Sequence, residues 1–361
     1  MKIARIVLVI WLLGLLYFSF WPVPVDPVAW DAPIDKGLVD PFESNDRLGV
    51  AKAMDLGDHY GPEDIARGFQ GLLYSGTKDG KVISFQADGG NVQIFADTGG
   101  RPLGIEFAGG FLYVANSFIG LQRIRKDGRV VTLADEVNGR PIAYADDVAV
   151  AKDGSVYFTD ASSKFVAREW QGTYSASRLD ILEHGGHGRV LKYDPFSNET
   201  TTIMDGLNFA NGIAVSDDQT YLLVNETGTY RVLRYWLQGP SAGTSEIIID
   251  NLPGFPDNIN NGLNGRFWIG LVAPRSTVVD KYSDSPFMRK MVQRLPAALR
   301  PKAVPSTHLI AIDGDGKVLM NLQDTEARFP AITGALETEN DLFLTSLFGH
   351  RVARVDKQDL R

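Results

Sequence analysis

Four oxygen-bearing side chains recur in one position along this 361-residue chain: Glu63 in GPEDIA, Asp146 in ADDVAV, Asn211 in ANGIAV and Asp257, followed by Asn258, in PDNINN. Each precedes a short apolar run, Ile65-Ala66, Val148-Ala149-Val150, Ile213-Ala214-Val215 or Ile259. Each also lies about ten residues before a strand-like triplet of large apolar residues. Together they offer three carboxylates and, from Asn211 and Asn258, two amide oxygens. A hard, all-oxygen set of this kind suits Ca²⁺, or another divalent cation, better than Zn²⁺, which favours His and Cys. Without a cation, three anions in one place repel and at least one must take up a proton. An isolated Asp or Asn before a strand is an ordinary turn residue. Four at one phase, with a Glu that turns do not favour, point to a shared centre.

Something must bring these distant residues together, and the sequence supplies it as a repeat. Six runs share a turn followed by three large apolar residues: Leu72-Leu73-Tyr74, Phe111-Leu112-Tyr113, Val156-Tyr157-Phe158, Tyr221-Leu222-Leu223, Phe267-Trp268-Ile269 and Leu342-Phe343-Leu344. Most are followed by a second β-type run, as in Gly80-Lys81-Val82, Gly188-Arg189-Val190 and Arg351-Val352-Ala353. Units of roughly 40 residues or longer, each with three or four strands, predict an all-β six-bladed β-propeller. Equal phase in a ring means equal distance from its axis, so the four side chains should converge at one mouth of the central channel. Two insertions, near Ser163 to His187 and Ala273 to Ser306, should fall in loops on one face. The second, with YSDSPFMRKMVQRLPAALRP, has the composition of a short helix that could roof the pocket or touch a membrane surface.

The remaining chemistry is narrowed by composition. No cysteine is present, which excludes thiolate ligands, disulfides and a cysteine nucleophile. Lys and Arg number 36 against 44 Asp and Glu, for a net charge of −8, and the basic residues are scattered, so a nucleic-acid partner is not expected. No serine stands in a G-x-S-x-G elbow. Of the five histidines, His59, four residues before Glu63, and His350, after the last inner strand, are candidates to reach the channel mouth as catalytic bases. His184 and His187 flank a glycine-rich turn that could border the pocket. Asn198 and Asn225 open glycosylation-type triplets.

The N-terminus is different in kind. No charge interrupts Ile6 to Trp21, while Lys2 and Arg5 precede the run. A helix of that length rises roughly 24 Å, and Ile3, Ala4 and a snorkelling Arg5 extend it toward a hydrocarbon core of about 30 Å. Trp21-Pro22-Val23-Pro24 lacks the small residues of a signal-peptidase site. The expectation is a single-pass anchor, N-terminus cytoplasmic and the bulk extracytoplasmic, periplasmic or lumenal. Trp21 and Trp30 would sit at the interface and Pro22 to Pro33 would form a stiff stalk. The expected organisation is an anchor over 1–21, a stalk and lead-in over 22–60 and a propeller over 61–361.

The stretches GRPLGIEF, GRVLKYDP, GLNFANGIAVS, ETGTYRVLRYWLQGPSAGTSE and NLPGFPDNI resemble strictosidine synthase-like proteins and the adipocyte plasma membrane-associated protein family. Through them the chain is similar to the wider superfamily of paraoxonases, gluconolactonase/regucalcin proteins and diisopropyl fluorophosphatase. The resemblance covers about Gly61 to Arg354 and implies a six-bladed propeller with calcium, or another divalent ion, held at the positions of Glu63, Asp146, Asn211, Asp257 and Asn258. It also implies that Asp257 serves as base or nucleophile on a small-molecule substrate, most simply an ester or lactone. One position departs from the pattern: where strictosidine synthase places its catalytic glutamate, this chain has Thr333. Amine–aldehyde condensation therefore ranks below hydrolysis, and a non-catalytic, calcium-stabilised binding propeller is the other alternative.

Overall fold

The computed structural model describes residues 2–360. Among them, six four-stranded antiparallel sheets form the blades of a propeller, preceded by one apolar helix, α1 (Lys2–Phe20). The innermost strands are Ile65–Arg67, Pro102–Ala108, Ala145–Val150, Ala210–Val215, Gly254–Asn261 and Ile332–Glu337. Every apolar triplet read from the sequence lies wholly or mainly in the second strand of its blade. These second strands have both faces covered by neighbouring blades, so Val156–Asp160 is buried at every residue instead of alternating. Leu223, Val232, Ile269 and Ile310 share one apolar layer between the fourth and fifth blades, and Ala66, Tyr74, Leu112 and Val114 share another between the first and second.

The ring closes with a strand from the lead-in segment. Lys52–Asp55 pairs antiparallel with Arg351–Asp356, Ala53 against Ala353, and so becomes the outer strand of the last blade. Pairing an early strand with a late one in the same blade locks the circle.

In each blade the first strand runs away from the end carrying the oxygen-bearing residues, and the second returns to it. Connections between second and third strands therefore all lie at that end. Both insertions are such connections: α2 (Thr173–Glu183) follows Asp160, and α3 (Thr277–Lys281) with α4 (Pro286–Arg294) follows Pro274. Pro at the first turn starts α4, and the Ser276 side chain caps α3 by accepting from the Val279 amide.

The segment expected to be a free stalk is instead bound along its length. Val25 is buried among Leu179, Leu182, Phe165 and Val279. Trp30, expected at a membrane interface, stacks on His184 with ring centroids 3.9 Å apart. The Val28 amide donates to Glu183 O, and that of Trp30 to Ser283 O. Arg275 then holds Pro33 O at 2.6 Å. The physical reason is composition: Val25 and Trp30 have apolar surface that a solvated stalk would waste, and the grooves around α2 and α4 accept it.

Candidate metal centre and its cavity

The slot residue lies two positions before the residue that pairs Ile65 with Ser75, Val148 with Phe158, Ile213 with Val224 and Ile259 with Ile269. The same slot holds Leu103 in the second blade and Thr333 in the sixth. In five of the blades the ladder slips at this point, so the slot residue sits in a bulge. A bulge frees a residue from the ladder and re-aims its side chain, here toward the channel. Close packing of adjacent blades makes this possible. At Gly212 a Cβ would come within 2.3 Å of Ile259 N, so only glycine lets the fourth blade approach the segment bearing Asp257 and Asn258.

Glu63, Asp146, Asn211 and Asp257 line one cavity of about 830 Å³ at this end of the channel. All four are buried, and so is Asn258 behind them. Among the described residues, Glu63 Oε2, Asp146 Oδ2, Asn211 Oδ1 and Asn258 Oδ1 have no hydrogen-bond partner. What the set does bond to fixes its backbone. Asn258 Nδ2 donates to Glu63 O at 3.1 Å, Thr333 Oγ1 donates to Glu63 O, and Asn225 Nδ2 donates to Asp257 O at 2.7 Å. Asn211 Nδ2 donates to Asp257 Oδ1.

Burial, then the charges of Asp257 and Asp146, push the Glu63 carboxyl well above its usual range. Asp146 is pushed well up by burial, then by Asp257 and Asp160. Burial pushes Asp257 up to about 7, against the lowering effect of the Asn211 amide. Burial is the first cause of all three shifts, and for Glu63 and Asp146 the neighbouring carboxylates add to it. Arg101, buried beside Glu63 and Asp146, lowers both but does not cancel the burial. No group of three Asp, Glu, His or Cys side chains among the described residues stands in metal-holding arrangement by itself. A cation here therefore needs the amide oxygens, and the unpaired Asn211 and Asn258 oxygens meet that need. The donor set fits a hard divalent cation of flexible geometry.

The histidines are placed elsewhere. His350 is exposed and edge-on to the Tyr60 ring, and neither it nor His59 lines the cavity. The expectation that they reach the channel mouth fails because both lie in the loop layer outside the innermost strands. His184 is occupied by Trp30, and His187 by Glu183 Oε1 at 2.7 Å. Asn225 is fully buried, which removes it as a glycosylation site in the folded chain. Thr333 is also buried, bonded to Thr345 as well as to Glu63 O. The sixth blade's Glu337 is committed to Trp268 and Lys357 and does not replace the missing glutamate. Sequence reading assigned no site role to Arg101, beside the carboxylates, or to Asn225, which holds the Asp257 backbone; Arg101, directly before the second inner strand in GRPLGIEF, had a positional signal.

The cavity roof comes from both insertions. Leu179 and Leu182 of α2, Val279 of α3 and Val292 of α4 line it together with Phe209, Phe255 and Val272. Polar oxygens thus sit at the closed end of an otherwise largely apolar chamber.

Comparison with known proteins agrees with this architecture. The strictosidine synthase family model matches residues 146–240, and the N-terminal strictosidine synthase-like model matches 40–85. Strictosidine synthase-like 13 of Arabidopsis thaliana is 31% identical over 80% of this chain and 78% of its own length. The adipocyte plasma membrane-associated protein of Salmo salar is 32% identical over 87% of this chain and 80% of its own. Among solved structures, a gluconolactonase from Xanthomonas campestris shares the fold with TM-score 0.62 and 19% identity, covering 92% of this chain and 98% of that one. The calcium-binding protein regucalcin from Agrobacterium tumefaciens does so with TM-score 0.57 and 11% identity, covering 84% and 93%. The chain belongs to the strictosidine synthase-like family of six-bladed propellers.

Proposed function

We propose that this protein is a divalent-cation-dependent hydrolase of esters or lactones, with calcium the cation its oxygens fit best, held to a membrane by α1 with Lys2 and Arg5 on the cytoplasmic side. The observation that carries the reading is the set of four buried, unpaired oxygens, on Glu63, Asp146 and Asn211 in the cavity lining and on Asn258, next to Asp257 behind it. The gluconolactonase and regucalcin folds support the lactone and calcium parts of it.

A bound cation supplies Lewis-acid polarisation of the scissile carbonyl and stabilises the anion that forms. Glu63, Asp146, Asn211 and Asn258 would hold the ion. Asp257, its carboxyl positioned by Asn211 and its backbone by Asn225, accepts the proton of the attacking water. The apolar roof keeps bulk water from the reacting carbonyl. Thr333 in place of a carboxylate argues against amine–aldehyde condensation, which needs an acid/base there.

The test is hydrolysis of phenyl acetate and a simple lactone by the full-length protein, with and without chelator and in Asp257→Ala. Loss of turnover in both is expected. Full activity in chelator would refute the metal role. Calcium-dependent thermal stability without turnover on a broad panel would leave a binding propeller.

A further inference from the structure

Building on the hydrolase reading and on α1 as an anchor, we propose that the cavity takes its substrate from the bilayer, as an amphiphilic ester or lactone with a long acyl chain. The rim of the cavity is tied to the anchor. Arg294, at the end of α4, donates to the carbonyls of Trp21 at 2.7 Å and Phe18 at 2.8 Å, and the Tyr17 hydroxyl donates to Arg294 O at 3.0 Å. These carbonyls belong to the C-terminal end of α1, where an anchor leaves the hydrocarbon. The segment directly after Arg294 is the cavity rim: Ala297 and the stretch from Arg300 to Pro305 line it.

The outer side of that rim has the composition of an interfacial segment. Leu299 and Val304 are 68% and 63% exposed, and Arg300 and Lys302 stand between them. Apolar residues alternating with basic ones favour the boundary between lipid headgroups and acyl chains. From the rim inward, Val292, Val279, Leu179 and Phe255 lead toward the slot carboxylates. An acyl chain on that path gains roughly fourfold in binding for each methylene removed from water. A small polar substrate from solution would leave these walls unused.

Because the chain has no cysteine, one label can be placed without ambiguity. Full-length Leu299→Cys carrying a bimane dye, in phosphatidylcholine–phosphatidylglycerol vesicles containing brominated lipid, should be strongly quenched. Asp153→Cys, in the turn at the opposite end of the blades, should not be. In parallel, hydrolysis of butyryl and dodecanoyl esters is compared between the wild-type chain and Leu299→Asp, a rim residue outside the cavity lining. Leu299→Asp should lose about tenfold in kcat/KM on the dodecanoyl ester in vesicles and nothing on the butyryl ester. An unquenched label at 299, or equal effects on both esters, overturns the proposal while leaving chelator-sensitive hydrolysis intact. Absence of any turnover with the label quenched instead overturns the hydrolase reading, and the substrate assignment with it.

Discussion

Replacing Arg289 by Met should loosen the roof of the cavity and release the N-terminal strap, while the propeller stays folded. The Arg289 side chain is fully buried. One terminal nitrogen donates to Leu182 O at 3.0 Å; the other donates to Ser283 O at 3.0 Å and to Val28 O. It thereby ties together the end of α2, the link between α3 and α4, and the strap. Methionine fills most of the space and donates nothing. The Leu182 carbonyl is then left unpaired in buried surroundings, at about 1–3 kcal/mol, whereas the Ser283 carbonyl keeps the Trp30 amide and exposed Val28 regains water. Burial lowers the pKa of Arg289, so relief of guanidinium desolvation offsets part of the loss. A net local cost of about 2 kcal/mol remains. Two kcal/mol corresponds to roughly thirtyfold faster exchange by local opening. Hydrogen exchange of the Val28 and Trp30 amides, bonded to Glu183 O and Ser283 O, reads this directly. Unchanged exchange at both would refute the idea that one guanidinium fastens strap to roof.

Three further outcomes follow from the same geometry. Burial, with the charges of Arg289 and Arg231, lowers His184 to about 3, so it stays neutral while the unfolded chain protonates below about 6.5. Stability should fall by about 1.4 kcal/mol per pH unit below 6.5 relative to His184→Asn, whose asparagine tolerates the left-handed backbone there. Asp180, pushed up to about 7 by burial, opposes this in both proteins, so the difference between their denaturant midpoints from pH 7 to 5 isolates the histidine; parallel curves would exclude it. Gly212→Ala should cost about 1–3 kcal/mol and abolish any calcium-induced rise in Tm, since its Cβ would push on the backbone at Asp257 to Ile259. A wild-type calcium response in that variant would separate this contact from the ion. A fragment starting at Trp21 should keep its roof ordered, whereas one starting at Asp31 loses Val25 and Trp30 and should show faster exchange across α2 and α4; equal protection would show that the strap is dispensable.

Much of this was readable in advance because it depends on local chemistry repeated six times. A turn followed by Val-Tyr-Phe or Phe-Trp-Ile signals a doubly buried strand, and its recurrence signals a ring. Glu63, Asp146, Asn211 and Asp257 stood out because phase in a repeat translates into radius. The bulges did not, since a one-residue slip leaves no compositional trace when the slot can hold Leu103 or Thr333. The strap was misjudged for a related reason. A Pro-rich stretch looks stiff and solvated on its own, and only the groove between α2 and α4 reveals that Val25 and Trp30 have somewhere to go. His59 and His350 show the reverse error: proximity in sequence to a slot residue says little when the intervening chain turns outward.

The seam formed by Lys52–Asp55 and Arg351–Asp356 bears on how the molecule is made. During synthesis the early strand emerges long before its mate and must wait, unpaired, while five blades assemble. Until Arg351–Asp356 has been made, the ring is an open arc with an unpaired β edge at its seam. A chain lacking Arg351–Asp356 would strand Lys52–Asp55 as well, so one lost segment would strip the last blade of two of its four strands and leave the circle open.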